Sequence, residues 1–96
     1  MLFDELQEKK SLIAALANQY GARRIRVFGS VARGNERSDS DIDFLVDFPP
    51  GYDLFAQRLP LAEELEQLTG RTVDLISEHE LNAYMRPVIL QEAKEL

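Results

Sequence analysis

The chain has 96 residues, 45% hydrophobic and 29% charged, with no cysteine and a formal net charge of −6 at pH 7. That length is expected to give one domain, residues 1–96, with a single core, and it is small for an enzyme that must also enclose its acceptor. Without cysteine there is no disulfide framework or thiolate metal site; no apolar run reaches the length of a membrane span or signal peptide; and the acidity makes the chain a poor holder of a nucleic-acid backbone.

Residues 4 to 20 read as the first helix, with Asp4 as N-cap, Gln7 three residues on, an apolar set at Leu6, Leu12, Ile13, Leu16, Ala17 and Tyr20, and Gly21 as its stop. Lys9 and Lys10 interrupt the stripe and read as a solvated pair. Residues 23 to 28 alternate as a half-buried strand, and Ser30 to Arg33 form a short helix. A polar loop runs through Asp39, and a second strand follows from about 41 to 47. Phe48-Pro49-Pro50-Gly51-Tyr52 stops the sheet, and Asp53 caps a helix to Thr69 with Leu54, Phe55, Leu59, Ala62, Leu65 and Leu68 as core face. Pro60 predicts a kink or break near Arg58-Leu59. Tyr52 is either a base-stacking residue at the rim of a site or a loop or interface aromatic.

Arg71 to Ile76 is a third short β-rich run. Ser77-Glu78-His79-Glu80 reads as a capping box opening a helix to about Met85, with His79, the only histidine, as a first-turn surface residue. Pro87 then opens a last helix from Val88 to Glu95, whose apolar residues Val88, Ile89, Ala93 and Leu96 serve either the core or a partner's edge. The order α-β-α-β-α-β-α predicts an α/β fold, a small mixed sheet of about three strands backed by helices on one face.

The chemistry concentrates between Gly29 and Val46. Gly29-Ser30 is a strand-to-helix turn where glycine permits positive φ and close backbone approach, free N–H groups face an anion, and the Ser30 hydroxyl adds a donor. Arg33, one turn on, carries a guanidinium suited to a polyphosphate. In Asp41-Ile42-Asp43-Phe44-Leu45-Val46 the period of two sets Asp41 and Asp43 on one side of a strand, a pair that repels itself unless a cation such as Mg²⁺ neutralises it. Asp74 joins them if its strand lies alongside. A P-loop is the rival reading of Gly29 to Gly34, but Asn35 and Glu36 follow where it needs Lys and then Ser or Thr.

Gly-Ser, ten residues, Asp-x-Asp running into an apolar strand and a later Val-Asp-Leu together resemble the nucleotidyltransferase motif of the DNA polymerase β superfamily. Within it, GSVARG with SDSDIDFLV looks most like the minimal nucleotidyltransferases, often antitoxins encoded beside HEPN-domain toxins. The resemblance implies a polymerase β-like fold and transfer of AMP from ATP with two Mg²⁺ held by Asp41 and Asp43. Asp74 then ligates an ion or takes the proton, Gly29 and Ser30 bind the β/γ-phosphates, and Arg33 neutralises charge. It also implies a tyrosine hydroxyl of a cognate HEPN toxin as acceptor, in a hetero-oligomer. A binding-only antitoxin acting by occlusion and a small-molecule nucleotidyltransferase are the alternatives. The expected setting is the cytoplasm, with no membrane and no direct nucleic-acid contact.

Overall fold

The computed structural model describes residues 1–96. In chain order it holds α1 (Leu2–Glu8), α2 (Lys10–Gln19), β1 (Ile25–Phe28), α3 (Gly29–Arg33), β2 (Ile42–Val46), a wide π-type turn (Leu54–Arg58), α4 (Leu59–Thr69), β3 (Val73–Ser77), a 3-10 turn (Glu78–Glu80), α5 (Met85–Glu92) and β4 (Lys94–Glu95). The sheet order is β3-β2-β1-β4. β1 pairs antiparallel with β2 and β4, whereas β2 and β3 run parallel from Ile42↔Val73 to Val46↔Ser77. This is the expected mixed α/β sheet, with four strands in place of about three.

Alternation along the strands builds two cores. On one face Val27, Ile42, Phe44, Val46, Val73 and Leu75 pack with Leu6, Ile13, Ala17, Val31, Leu61 and Leu65 from the first four helices. On the other, Phe28 and Leu45 meet Leu81 and Ile89. Helical cover is therefore not confined to one face, because α5 lies over the second. No helix is long and apolar enough to cross a membrane.

Several expected elements shift, each for a local reason. The first helix breaks at Lys9 and starts at Leu2, with Asp4 inside its first turn and the Glu36 carboxylate accepting from the Leu2 N–H at 3.1 Å. Leu2, Leu6, Ile13 and Ala17 are spaced as one stripe that would carry a lysine into the core at its midpoint. The break releases Lys9, whose ammonium donates to the Leu68 carbonyl at 3.1 Å, while Lys10 is exposed and Leu12 turns outward.

Pro60 acts as expected, standing in the first turn of α4 where its missing N–H costs nothing. The chain before it winds wide, with the Leu59 N–H reaching back to the Leu54 carbonyl. That wide turn changes the phase of the apolar positions. Leu54, Phe55 and Leu59 stay exposed, and Leu61 joins Leu65 in the core. The Ser77 capping box is present but closes only the 3-10 turn. The last helix begins at Met85, before Pro87, and ends at Glu92 rather than Glu95. Lys94 and Glu95 are drawn off as β4 by the open edge of β1, where Arg24 also ion-pairs with Glu95.

Candidate active site

Gly29 leaves β1 with φ 71° at the first position of α3. A Cβ there would lie 2.2 Å from Asp43 Oδ2, so glycine is required both by the backbone angle and by the carboxylate pressed against it. The register explains the contact, since Phe28 pairs with Asp43 across the antiparallel ladder and the turn follows at once. Ser30 is half-exposed in the first turn, and Arg33 forms the last residue of α3 before Gly34 ends it in a left-handed conformation.

Asp43 also pairs with Asp74 across the parallel ladder, putting both side chains on the face that carries Leu45 and Ile76. Asp41 lies two residues before Asp43, exposed at the start of β2. The half-buried Asp43 carboxyl is pushed up to about 6, first by desolvation and then by the charges of Asp74 and Asp41, against a smaller opposing pull from Arg33. The three carboxylates and Gly29 named from the sequence thus come to one sheet end.

Two residues outside the sequence reading complete this corner. The Gly29 N–H donates to Glu92 Oε2 at 2.7 Å, and Arg33 donates to Glu92 Oε1 at 2.6 Å, so a carboxylate from α5 occupies the anion-binding groups. Glu92 sits far along the chain in a helix with no motif, and nothing in the local sequence marks it out. Arg71 donates to the carbonyls of Arg37 at 3.0 Å and Ser40 at 3.3 Å, which ties the polar loop ahead of Asp41 to the start of β3. The Ile42 N–H to Thr72 carbonyl bond, 2.9 Å, closes the same corner.

Tyr52 is not at this rim. Its ring stacks on Phe48 at 4.6 Å and its hydroxyl donates to Glu80 at 3.0 Å, near the opposite end of β3. His79 faces Tyr52 edge-on, with Nδ1 3.0 Å from Ser77 Oγ. A cavity of about 390 Å³ between α2, β1 and Leu96 includes none of Asp41, Asp43 and Asp74. An open hollow of about 510 Å³, lined by Ala32, Arg33, Val88, Gln91, Glu92 and Lys94, adjoins the Gly29 turn.

No set of three acidic or histidine side chains is arranged here as a ready-made cage for an ion. The donor chemistry nevertheless fits Mg²⁺, which favours hard oxygens and takes one or two carboxylates plus substrate phosphates rather than a full protein shell. The in-register pairing of Asp43 with Asp74, with Asp41 two residues ahead, is the observation that tests this fit, since it sets together like charges that a divalent cation would neutralise.

The strand-turn-helix at Gly29, with the Glu92 carboxylate held at its glycine, thus stands beside carboxylates on two parallel strands. Residues 9–96 match the nucleotidyltransferase domain model. The chain belongs to this family. This nucleotidyltransferase is 38% identical over 91 residues to protein adenylyltransferase MntA of Thermococcus cleftensis, covering 91% of each chain. A solved structure assigned as a minimal nucleotidyltransferase superposes with TM-score 0.87 at 42% identity, covering 100% of this chain and 97% of the other. A crystal structure of a toxin–antitoxin with AMP-PNP superposes with TM-score 0.76 at 25% identity, over 90% of this chain and 70% of that one.

Proposed function

We propose that this nucleotidyltransferase is an antitoxin that moves AMP from ATP to a hydroxyl, a tyrosine by the family resemblance, on a cognate HEPN-type toxin and so neutralises it. The observation that carries the reading is the juxtaposition of the Gly29 N–H and Arg33, already holding a carboxylate, with Asp43 and Asp74 paired across the strands. The adenylyl donor and the toxin partner are supported by the relatives: a protein adenylyltransferase at 38% identity and a toxin–antitoxin that binds AMP-PNP.

In this reading Asp41 and Asp43 would hold two Mg²⁺, and Asp74 faces the same space. When bound, the ions supply charge neutralisation on the triphosphate and a lowered pKa for the attacking hydroxyl. The Gly29 N–H, the Ser30 hydroxyl and Arg33 orient the β- and γ-phosphates. The acceptor oxygen bonds to the α-phosphorus, the bond from that phosphorus to the bridging oxygen breaks, and pyrophosphate leaves toward Arg33. The acceptor proton passes to the exposed carboxylate of Asp74.

A protein acceptor is favoured over a small molecule by the surroundings. The hollow beside the turn is open, and Tyr84, Met85 and Val88 on the neighbouring segment are 91%, 46% and 62% exposed. Such side chains suit a partner's surface better than a closed pocket. Of Val88, Ile89, Ala93 and Leu96, given from the sequence either to the core or to a partner's edge, Ile89 is buried and Ala93 and Leu96 are half-buried, so Val88 is the one that remains available.

Incubation with the product of the neighbouring gene and Mg²⁺-ATP should add one or more adenylyl groups to that partner, read by intact mass, and lower its ribonuclease activity. Full inhibition with no added mass, retained by the Asp41→Asn/Asp43→Asn variant, would leave occlusion as the mechanism.

A further inference from the structure

Glu92 is the only partner of both the Gly29 N–H and the Arg33 side chain in their hydrogen bonds outside α3's own backbone. The Glu92 side chain is 17% exposed and its bond to the Gly29 N–H is partly buried, while Arg33 is 53% exposed and open to solvent; the Gly29 contact spans 63 residues of sequence. A carboxylate presents two anionic oxygens, and here one takes the backbone donor and the other the guanidinium. Phosphate oxygens would require the same two donors.

Glu92 bonds to the same Gly29 against which the Asp43 carboxylate is pressed, so α5 brings a further carboxylate to the corner that holds Asp43. Nothing in core packing demands it there, because α5 is held by Ile89 on Phe28, Leu45 and Leu81, three residues before Glu92. Beyond it, β4 pairs with β1 through two residues only.

We propose that Glu92 is an internal stand-in for phosphate, a plug that closes the nucleotide site until a polyphosphate displaces it. The inference rests on the nucleotide reading above and adds its regulation. Displacement needs little room: the Glu92 side chain borders the hollow of about 510 Å³ lined by Val88 and Gln91, into which it can turn once Arg33 is taken by the incoming anion. A site that is open only part of the time binds its ligand more weakly by the open fraction, so removing the plug tightens apparent affinity by the inverse of that fraction. Binding would also free the last turn of α5, linking the filled site to the segment that exposes Tyr84, Met85 and Val88.

The test compares wild-type protein with Glu92→Gln and Glu92→Asp by calorimetric titration of Mg²⁺-tripolyphosphate and Mg²⁺-ATP, with amide hydrogen exchange over residues 85–95. With one molecule in ten open, Glu92→Gln should bind both ligands about tenfold more tightly. Either ligand should raise exchange in the last turn of α5 in wild type and leave it unchanged in Glu92→Gln. Glu92→Asp, one methylene shorter, should fall between them and stands in if Glu92→Gln does not fold. Equal or weaker binding by the variants, with wild type binding normally, overturns the plug alone and makes Glu92 a residue that holds Arg33 in position. Absence of binding to every form, wild type included, overturns the nucleotide reading and the plug together.

Discussion

Asp43 shows how one residue can carry an electrostatic cost in the folded state. Free in an unfolded chain its carboxyl has the ordinary value of 3.8, and in the fold it is pushed up to about 6. Between these values the native state binds more protons than the unfolded one, so stability must fall as pH rises through that window. The two-unit difference sets a ceiling of about 3 kcal/mol, and solvent screening of a half-exposed group brings the expected figure to about 1 kcal/mol. Urea unfolding in EDTA should therefore find Asp43→Asn more stable than wild type by about 1 kcal/mol at pH 7, with the gap closing as pH drops below 4. A gap that is constant with pH would assign it to packing rather than to the clustered charge. The sequence disclosed the charges involved, since Asp41, Asp43 and Asp74 stand in strand-like runs of period two, but not Glu92, whose approach to Gly29 depends on where α5 lands.

Among elements, what was legible followed from local chemistry, and what was missed followed from packing between distant segments. The strand-turn-helix at Gly29 and the acidic strand at Asp41 were legible because alternation and a glycine turn are properties of a few adjacent residues. The break at Lys9 and the wide turn before Pro60 were settled by which face met the sheet, and β4 formed only because β1 had an open edge. The loop between Gly34 and Asp41 belongs to the second kind. It read as a polar loop, and its anchoring came from a distant residue, Arg71, which pins it through the carbonyls of Arg37 and Ser40. Since Arg71 contacts backbone alone there, Arg71→Ala should loosen the approach of Asp41 without dismantling the core. Its unfolding free energy should drop by about 1 kcal/mol, the worth of surface hydrogen bonds of this kind. The rate of adenylyl transfer at saturating Mg²⁺-ATP should fall more than tenfold, because misplacing a reacting group by an ångström costs that much or more. Wild-type turnover together with the expected stability loss would show that the loop does not position Asp41 for the reaction.

For the whole molecule the governing quantity is its acidity. A domain with formal charge −6 that binds a triphosphate must overcome its own field, and the carboxylates nearest the Gly29 turn, Glu92 among them, are the steepest part of that field. A divalent cation changes the sign of the local balance, allowing the phosphates and the carboxylates to share one site. ATP and Mg²⁺ should therefore stabilise the fold together and far more than either does alone. At an ATP concentration one hundred times its Kd the gain should be about 2.7 kcal/mol, which for a domain of this size raises Tm by roughly 10 °C or more. Thermal unfolding with ATP in Mg²⁺ and with ATP in excess EDTA separates the cases. A shift of several degrees that requires Mg²⁺ and disappears in Asp41→Asn/Asp43→Asn assigns the cation to these carboxylates. An equal shift in EDTA would mean that ATP is held by the Gly29 turn and Arg33 without them, and a Mg²⁺-dependent shift surviving in the double variant would place the ion elsewhere.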